Sequence, residues 1–182
     1  MTAFIGRVWQ LAQLDRQLSA VRRRIGPGER PGRAILVRGR RQVGKSRLAE
    51  EFVERAGVPA VFFTASTGCT AEQLELFART AAASNLHAAY LFDDLRPDSW
   101  ESALELFATA AVGDAPCILV LDGLPELVAA DPALEATLQK VFDRVLSRLP
   151  VLVIGSGSGA SPTSARRPAA LRTQLWGVGS AR

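Results

Sequence analysis

Between residues 5 and 25 the apolar positions Leu11, Leu14, Leu18 and Val21 recur at threes and fours, which predicts an amphipathic helix stopped by Gly26-Pro27-Gly28. A basic, turn-rich stretch to Gly32 follows. Ala34-Ile35-Leu36-Val37 is then a short apolar run between turn residues and reads as a buried strand, and residues 46–56 read as a helix ended by Gly57 and Pro59. The alternation continues with a strand over Ala60-Val61-Phe62-Phe63-Thr64, a helix over 71–83, a helix over 99–112 capped by Asp98 or Ser99, and a strand over 117–121. Asp131-Pro132 starts a further helix whose Leu134, Leu138, Val141, Phe142, Val145 and Leu149 line one face up to Pro150, and Val151-Leu152-Val153-Ile154 is a fourth strand. Short apolar strands separated by amphipathic helices predict an α/β fold with a parallel sheet covered on both faces.

Composition divides the chain. Residues 1–156 form one expected domain, whereas residues 157–182 turn to Gly, Ser, Ala, Pro and Arg without an acid and read as a disordered tail, with residues 171–178 the only part able to form a strand. The formal charge of +4 comes from Arg166, Arg167, Arg172 and Arg182 in that tail. The body is neutral, so a nucleic-acid surface is possible but not called for by charge. Within the body, residues 1–47 hold 12 basic residues against Asp15 and Glu29, and residues 48–156 hold 6 against 16 acidic ones. No run reaches the roughly 18 apolar residues of a membrane span, and the first residues lack the blocks of a secretory signal, so a cytoplasmic location is expected. Cys69 and Cys117 are too few for a disulfide framework or a zinc site, and Cys117 lies in an apolar strand where it packs.

The chemistry concentrates in Gly39-Arg40-Arg41-Gln42-Val43-Gly44-Lys45-Ser46, with Arg47 next, a phosphate-cradling loop between a strand and a helix. Backbone N–H groups at a helix N-terminus suit phosphate, and the glycines allow the tight turn and close approach. Lys45 is one of only two lysines and would reach the β- and γ-phosphates, while Ser46 would offer a hydroxyl to Mg²⁺. The expected ligand is a nucleoside triphosphate with Mg²⁺, and the resemblance given below implies that it is ATP. Asp122, ending the third predicted strand, is the candidate metal-side carboxylate. Glu126 would have to fold back to orient an attacking water, its other reading being a helix-capping or solvated residue. Ser156 reads either as a sensor of the γ-phosphate or as a turn serine after Gly155. His87 reads as a surface histidine. Arg144 and Arg148, four apart, either reach a neighbour's nucleotide or form a solvated helix face.

The combined pattern resembles the archaeal-type ATPase family of the AAA+ and STAND group of P-loop ATPases. The resemblance runs over residues 4–156 and is carried by Phe4-Ile5-Gly6-Arg7, the loop through Leu48, Leu119-Val120-Leu121-Asp122 with Leu124-Pro125-Glu126-Leu127, and Ile154-Gly155-Ser156. It implies that Ile5, Gly6 and Arg7 lie near the adenine, that Asp122 is the metal-side acid and Ser156 the sensor, and that the sheet order is 5-1-4-3-2. Where the family carries glutamate after the aspartate, this chain has Gly123. ATP binding with weak or absent hydrolysis is therefore expected, and Gly123→Glu would be expected to raise turnover. The sequence also ends before the family's fifth strand and lid, which implies a truncated or frame-shifted core lacking both and an open edge at the first strand. A nucleotide-switched regulatory module contacting a protein partner or a second copy, and a nonfunctional fragment of a larger ATPase, are the alternative functions.

Overall fold

The computed structural model describes residues 7–22, 30–40, 42–113, 115–158 and 173–175. Its elements in chain order are α1 (Val8–Arg22), β1 (Arg33–Gly39), α2 (Lys45–Ala56), β2 (Ala60–Thr64), α3 (Thr70–Ala82), α4 (Leu91–Asp94), α5 (Trp100–Ala110), β3 (Cys117–Asp122), α6 (Leu124–Ala130), α7 (Leu134–Arg144), a 3₁₀ turn (Leu146–Arg148), β4 (Val151–Ser158) and β5 (Thr173–Leu175). All pairings are parallel, in the order β2-β3-β4-β1-β5.

Successive residues of the inner strands alternate between two apolar layers, as the pleat requires. Ile35, Val37, Ile118, Val120, Leu152 and Ile154 face α1 and α2, whose Leu11, Leu14, Leu18, Val21, Leu48 and Phe52 complete that layer. Ala34, Leu36, Leu119, Leu121, Val151 and Val153 face the helices α3, α5, α6 and α7. There Phe63, Phe77 and Trp100 meet edge to face with ring centroids 5.5 to 5.9 Å apart. With both faces covered, uninterrupted apolar strands are what the sheet needs.

Three expectations change. Thr173–Leu175 pairs with Ile35, Leu36 and Val37, so a short fifth strand covers part of the β1 edge that the sequence reading left open. The physical reason is the unpaired row of N–H and C=O groups on β1, which any extended segment with suitable residues can satisfy. β4 also runs to Ser158, and both segments lie within the stretch that composition assigns to a tail. The helix predicted up to Pro150 ends instead at Arg144. Val145 leaves helical geometry at φ −121 and ψ −67, and the following turn gives its Ser147 carbonyl to the Gly32 N–H at 3.0 Å. A side chain at Gly32 would lie 2.3 Å from the Leu146 oxygen, so the entry to β1 passes directly against this turn. The remaining difference is α6, a helix of seven residues over a stretch that showed no helical period. Among the described residues no helix is long and apolar enough to cross a membrane.

Candidate functional site

The carboxyl ends of β1, β3 and β4 bring the sequence candidates together. β1 leads through the loop into α2, and the loop bends by placing two residues in the left-handed region, Gln42 at φ 61 and Gly44 at φ 74. Gln42 is the one non-glycine residue with positive φ among the described residues, and a residue held in that region costs about 1–3 kcal/mol unless its surroundings impose it. Gly39 sits where a Cβ would lie 3.0 Å from Val43 Cγ2 and 3.7 Å from Lys45 Cδ, so the loop closes tightly over it. Lys45 opens α2, and its Nζ donates to the carbonyls of Gly39 at 3.3 Å and Arg40 at 2.9 Å, which curls the side chain back under the loop. Gly44 caps α2 without a side-chain hydrogen bond and no acidic residue lies in the first turn, so the first N–H groups of this helix have no side-chain acceptor from the cap. Arg40, Val43, Ser46 and Arg47 complete the described loop; Arg41, Ile5 and Gly6 lie outside the described residues. Arg7 precedes α1 and donates through Nη1 to the Gly44 carbonyl at 3.2 Å, tying the start of the chain to the loop. No local pattern signals this contact beyond the resemblance.

Asp122 and Ser156 are both buried, at 6% and 1% exposure, and the Ser156 hydroxyl donates to the Asp122 carboxylate. The contact excludes the reading of Ser156 as a plain turn serine, because the residue is inside β4 with its hydroxyl directed at β3. The next residue, Gly123, has φ 81 and caps α6. Its carbonyl accepts from the Glu126 N–H at 3.0 Å, which folds the chain back, and a Cβ on Gly123 would lie 3.3 Å from Glu126 Oε2 and 3.0 Å from Ala65 Cβ. A glutamate at position 123 would therefore hold a strained left-handed backbone and press on Ala65, which works against the gain in turnover expected of it.

Gln73 is a residue that sequence reading missed. It is buried at 1% exposure, and its amide accepts from the Ser66 N–H at 3.0 Å and donates to the Ser66 carbonyl, which fixes the loop after β2. Ala65 of that loop donates its N–H to the Asp122 carbonyl at 2.8 Å, so the loop stands beside the β3 end. A glutamine on the apolar side of a helix, at the position of α3 that faces the sheet, is the only signal that could have found it. The other candidates lie apart: His87, Arg144 and Arg148 are exposed, and Arg148 stands at the entry to β4, opposite its carboxyl end. Cys69 is exposed, and burial pushes the Cys117 thiol up to about 12. A separate apolar cavity between the sheet and α7, lined by Ala34, Leu121, Leu138, Phe142 and Val153, holds none of the phosphate-loop residues.

A parallel sheet in this strand order, with a glycine-bounded lysine-serine loop after its β1 strand and a buried aspartate at the end of β3, defines an α/β P-loop ATPase fold of the AAA+ kind. The AAA ATPase domain family matches residues 3–154, and the chain belongs to it. No curated protein sequence matches. Among solved structures the chain is similar to one of Drosophila ORC bound to DNA, with TM-score 0.64 and 17% identity over 94% of this chain and 42% of that one. It is also similar to the Aeropyrum pernix ORC1 protein in complex with DNA, with TM-score 0.61 and 18% identity over 96% of this chain and 46% of that one. The Pyrobaculum aerophilum Cdc6p structure gives TM-score 0.56 and 19% identity over 86% and 40%. At these identities the likeness is one of fold, and the chain spans less than half the length of each structure.

Proposed function

We propose that this chain is the ATP-binding core of an archaeal-type AAA+ ATPase, holding Mg·ATP at the carboxyl end of its sheet and turning it over slowly. The observation that carries the reading is the loop itself. Two left-handed residues and an uncapped helix start present backbone N–H groups, with the single lysine of the region folded beneath them. Lys45 would exchange its contacts with the Gly39 and Arg40 carbonyls for the β- and γ-phosphates. In this reading Arg40, Gln42, Val43 and Arg47 would frame the phosphates and Arg7 would stand on the adenine side, while Arg41, Ile5 and Gly6, outside the described residues, are assigned to the same roles by the resemblance alone.

The donor set fits Mg²⁺. Ser46 and Asp122 offer a hydroxyl and a carboxylate, both hard oxygen donors. Among the described residues no three His, Cys, Asp or Glu gather as a metal site on their own, so the cation would take its remaining ligands from phosphate and water. Ser156, hydrogen-bonded to Asp122, would report the γ-phosphate to β4. Turnover is expected to be slow because the residue after Asp122, Gly123, brings no carboxylate of its own to the strand end. The test is a titration with ATP in the presence and absence of Mg²⁺. Ser46→Ala should weaken Mg·ATP binding about tenfold and leave metal-free ATP unchanged; equal loss in both conditions would refute the role of Ser46.

A second reading rests on the two similar structures that contain DNA and on the 12 basic residues of positions 1–47. In it the nucleotide state switches contact with a nucleic-acid or protein partner. Duplex binding that differs between ADP and ATP and weakens steeply with salt would favour it.

A further inference from the structure

The residue after Asp122 has no side chain, yet the space such a side chain would enter is not empty. Glu126 Oε2 stands 3.3 Å from the point where a Cβ of Gly123 would be. Two features put it there. Gly123 adopts φ 81 and ψ 38, which turns the chain at once into α6, and Glu126 is the third residue of that helix, so its side chain rises over the turn that began at Gly123. The first turn of α6 is also seated on β4. A Cβ on Gly155 would lie 3.4 Å from Leu124 Cδ2, and one on Gly157 would lie 2.7 Å from Pro125 Cδ. Leu124 and Pro125 therefore rest on the two glycines that flank Ser156, and that seating holds the turn that carries Glu126 against the end of β4.

Among the described residues the carboxylate is not engaged elsewhere. Glu126 is exposed, and among the described residues its side chain makes neither a hydrogen bond nor an ion pair. A glutamate at this position of a helix ordinarily serves a capping box by accepting the N–H of the cap residue, as Glu72 does for Cys69 at 2.8 Å. Glu126 makes no such bond to Gly123, which removes the capping role as the reason for its place.

We infer that Glu126 supplies the carboxylate that Gly123 lacks and orients the water that attacks the γ-phosphorus, an inference that rests on the Mg·ATP reading above. In that step the water oxygen forms a bond to phosphorus and the bond from phosphorus to the β,γ-bridging oxygen breaks. Its electron pair leaves with ADP, and the water proton passes to Glu126 and from there to solvent. Gly157 acts as a positioning residue, because a methyl group there would push Pro125 and with it the turn that holds Glu126.

The test uses the full chain and Glu126→Gln, an isosteric change at an exposed position. Calorimetry should give the same affinity for Mg·ATP within about twofold. The affinity for Mg·ADP with aluminium fluoride, a mimic of the transferring phosphoryl group with its attacking water, should fall by about 100-fold together with the single-turnover rate, the scale of a positioned base. Gly157→Ala should lower the same two quantities by about tenfold and spare Mg·ATP affinity. An unchanged rate and mimic affinity in Glu126→Gln would overturn the assignment, and so would a wild-type chain that binds Mg·ATP but hydrolyses it no faster than solution does. A folded wild type that fails to bind Mg·ATP would overturn the underlying reading as well, so the two failures are distinguishable.

Discussion

Two strand-to-helix units of this molecule use the same backbone device for different ends. Gly44 links β1 to α2 at φ 74 and ψ 40, and Gly123 links β3 to α6 at φ 81 and ψ 38. Each is a left-handed residue at the start of a helix, and neither helix has a side-chain cap. What surrounds them differs. The nearest atom to a Cβ on Gly44 is the flexible end of Arg7 at 3.6 Å, whereas a Cβ on Gly123 would meet Ala65 at 3.0 Å and Glu126 at 3.3 Å. β1 also becomes exposed over Arg38 before it turns, while β3 is buried through Asp122. The first unit leaves room at its helix start for a ligand, and the second fills that room with its own carboxylate. A turn conformation therefore does not specify chemistry; what packs on it does.

The largest expected effect separates ligand contact from packing. Lys45→Ala should lower Mg·ATP affinity by about 100-fold, since a hydrogen bond to a charged group contributes roughly 1.5–3 kcal/mol. Its unfolding free energy in urea should stay within about 0.5 kcal/mol of wild type, because among the described residues the ammonium's hydrogen bonds go to two loop carbonyls. Comparable losses of stability and affinity would mean that the lysine holds the loop together and would blur the contrast between the units.

Gly123→Glu probes the packed unit. It should lose about 2–3 kcal/mol of stability, from the left-handed backbone and the displaced Ala65 contact, with no gain in phosphate release. A faster, equally stable variant would show that the second turn is as open as the first.

Burial of β3 has a consequence in alkali. Cys117 ionises at about 12 in the folded chain, against 9.0 for the ordinary thiol, because burial disfavours the thiolate. The raised value contributes stability that is fully present below pH 9 and is lost as pH rises from 9 toward 12, at about 1.4 kcal/mol per pH unit. Wild type should thus lose about 1 kcal/mol more than Cys117→Ala between pH 9 and 10 in urea unfolding, because half of the unfolded thiols have already ionised at pH 9. Parallel profiles would show that the thiol is solvated.

The smallest effect compares the glycines directly. Gly44→Ala should cost about 1 kcal/mol of stability, as should Gly57→Ala, whose φ is 59 and whose Cβ would have nothing within 4 Å. Gly123→Ala should cost about 1 kcal/mol more than either, by the crowding at Ala65 alone. Equal costs would contradict the difference in packing.

Much of this was legible in the chain. The strands 34–37, 60–64, 117–121 and 151–154 are written as apolar runs, and α1, α2, α3, α5 and most of α7 as apolar stripes, because burial on a covered sheet demands those patterns. The loop 39–46 is legible because phosphate contact needs glycines, a lysine and a serine at fixed spacing. The strand order expected from the resemblance agrees with the structure. What was not legible depends on contacts between distant segments. α6 begins because Gly123 turns left and Leu124 and Pro125 find Gly155 and Gly157, which no local period announces. The end of α7 follows from Gly32, more than a hundred positions earlier, and β5 from the need of β1 for a partner. The Arg7 bond to Gly44 and the Gln73 bonds to Ser66 depend likewise on how the chain folds back.

Calorimetric titration of the wild-type chain with Mg·ATP, on material that unfolds cooperatively in urea, tests the central claim most directly. Saturable binding of one nucleotide per chain, weakened about 100-fold by Lys45→Ala, is the expected result; no heat and no bound nucleotide in the folded wild-type chain would contradict it.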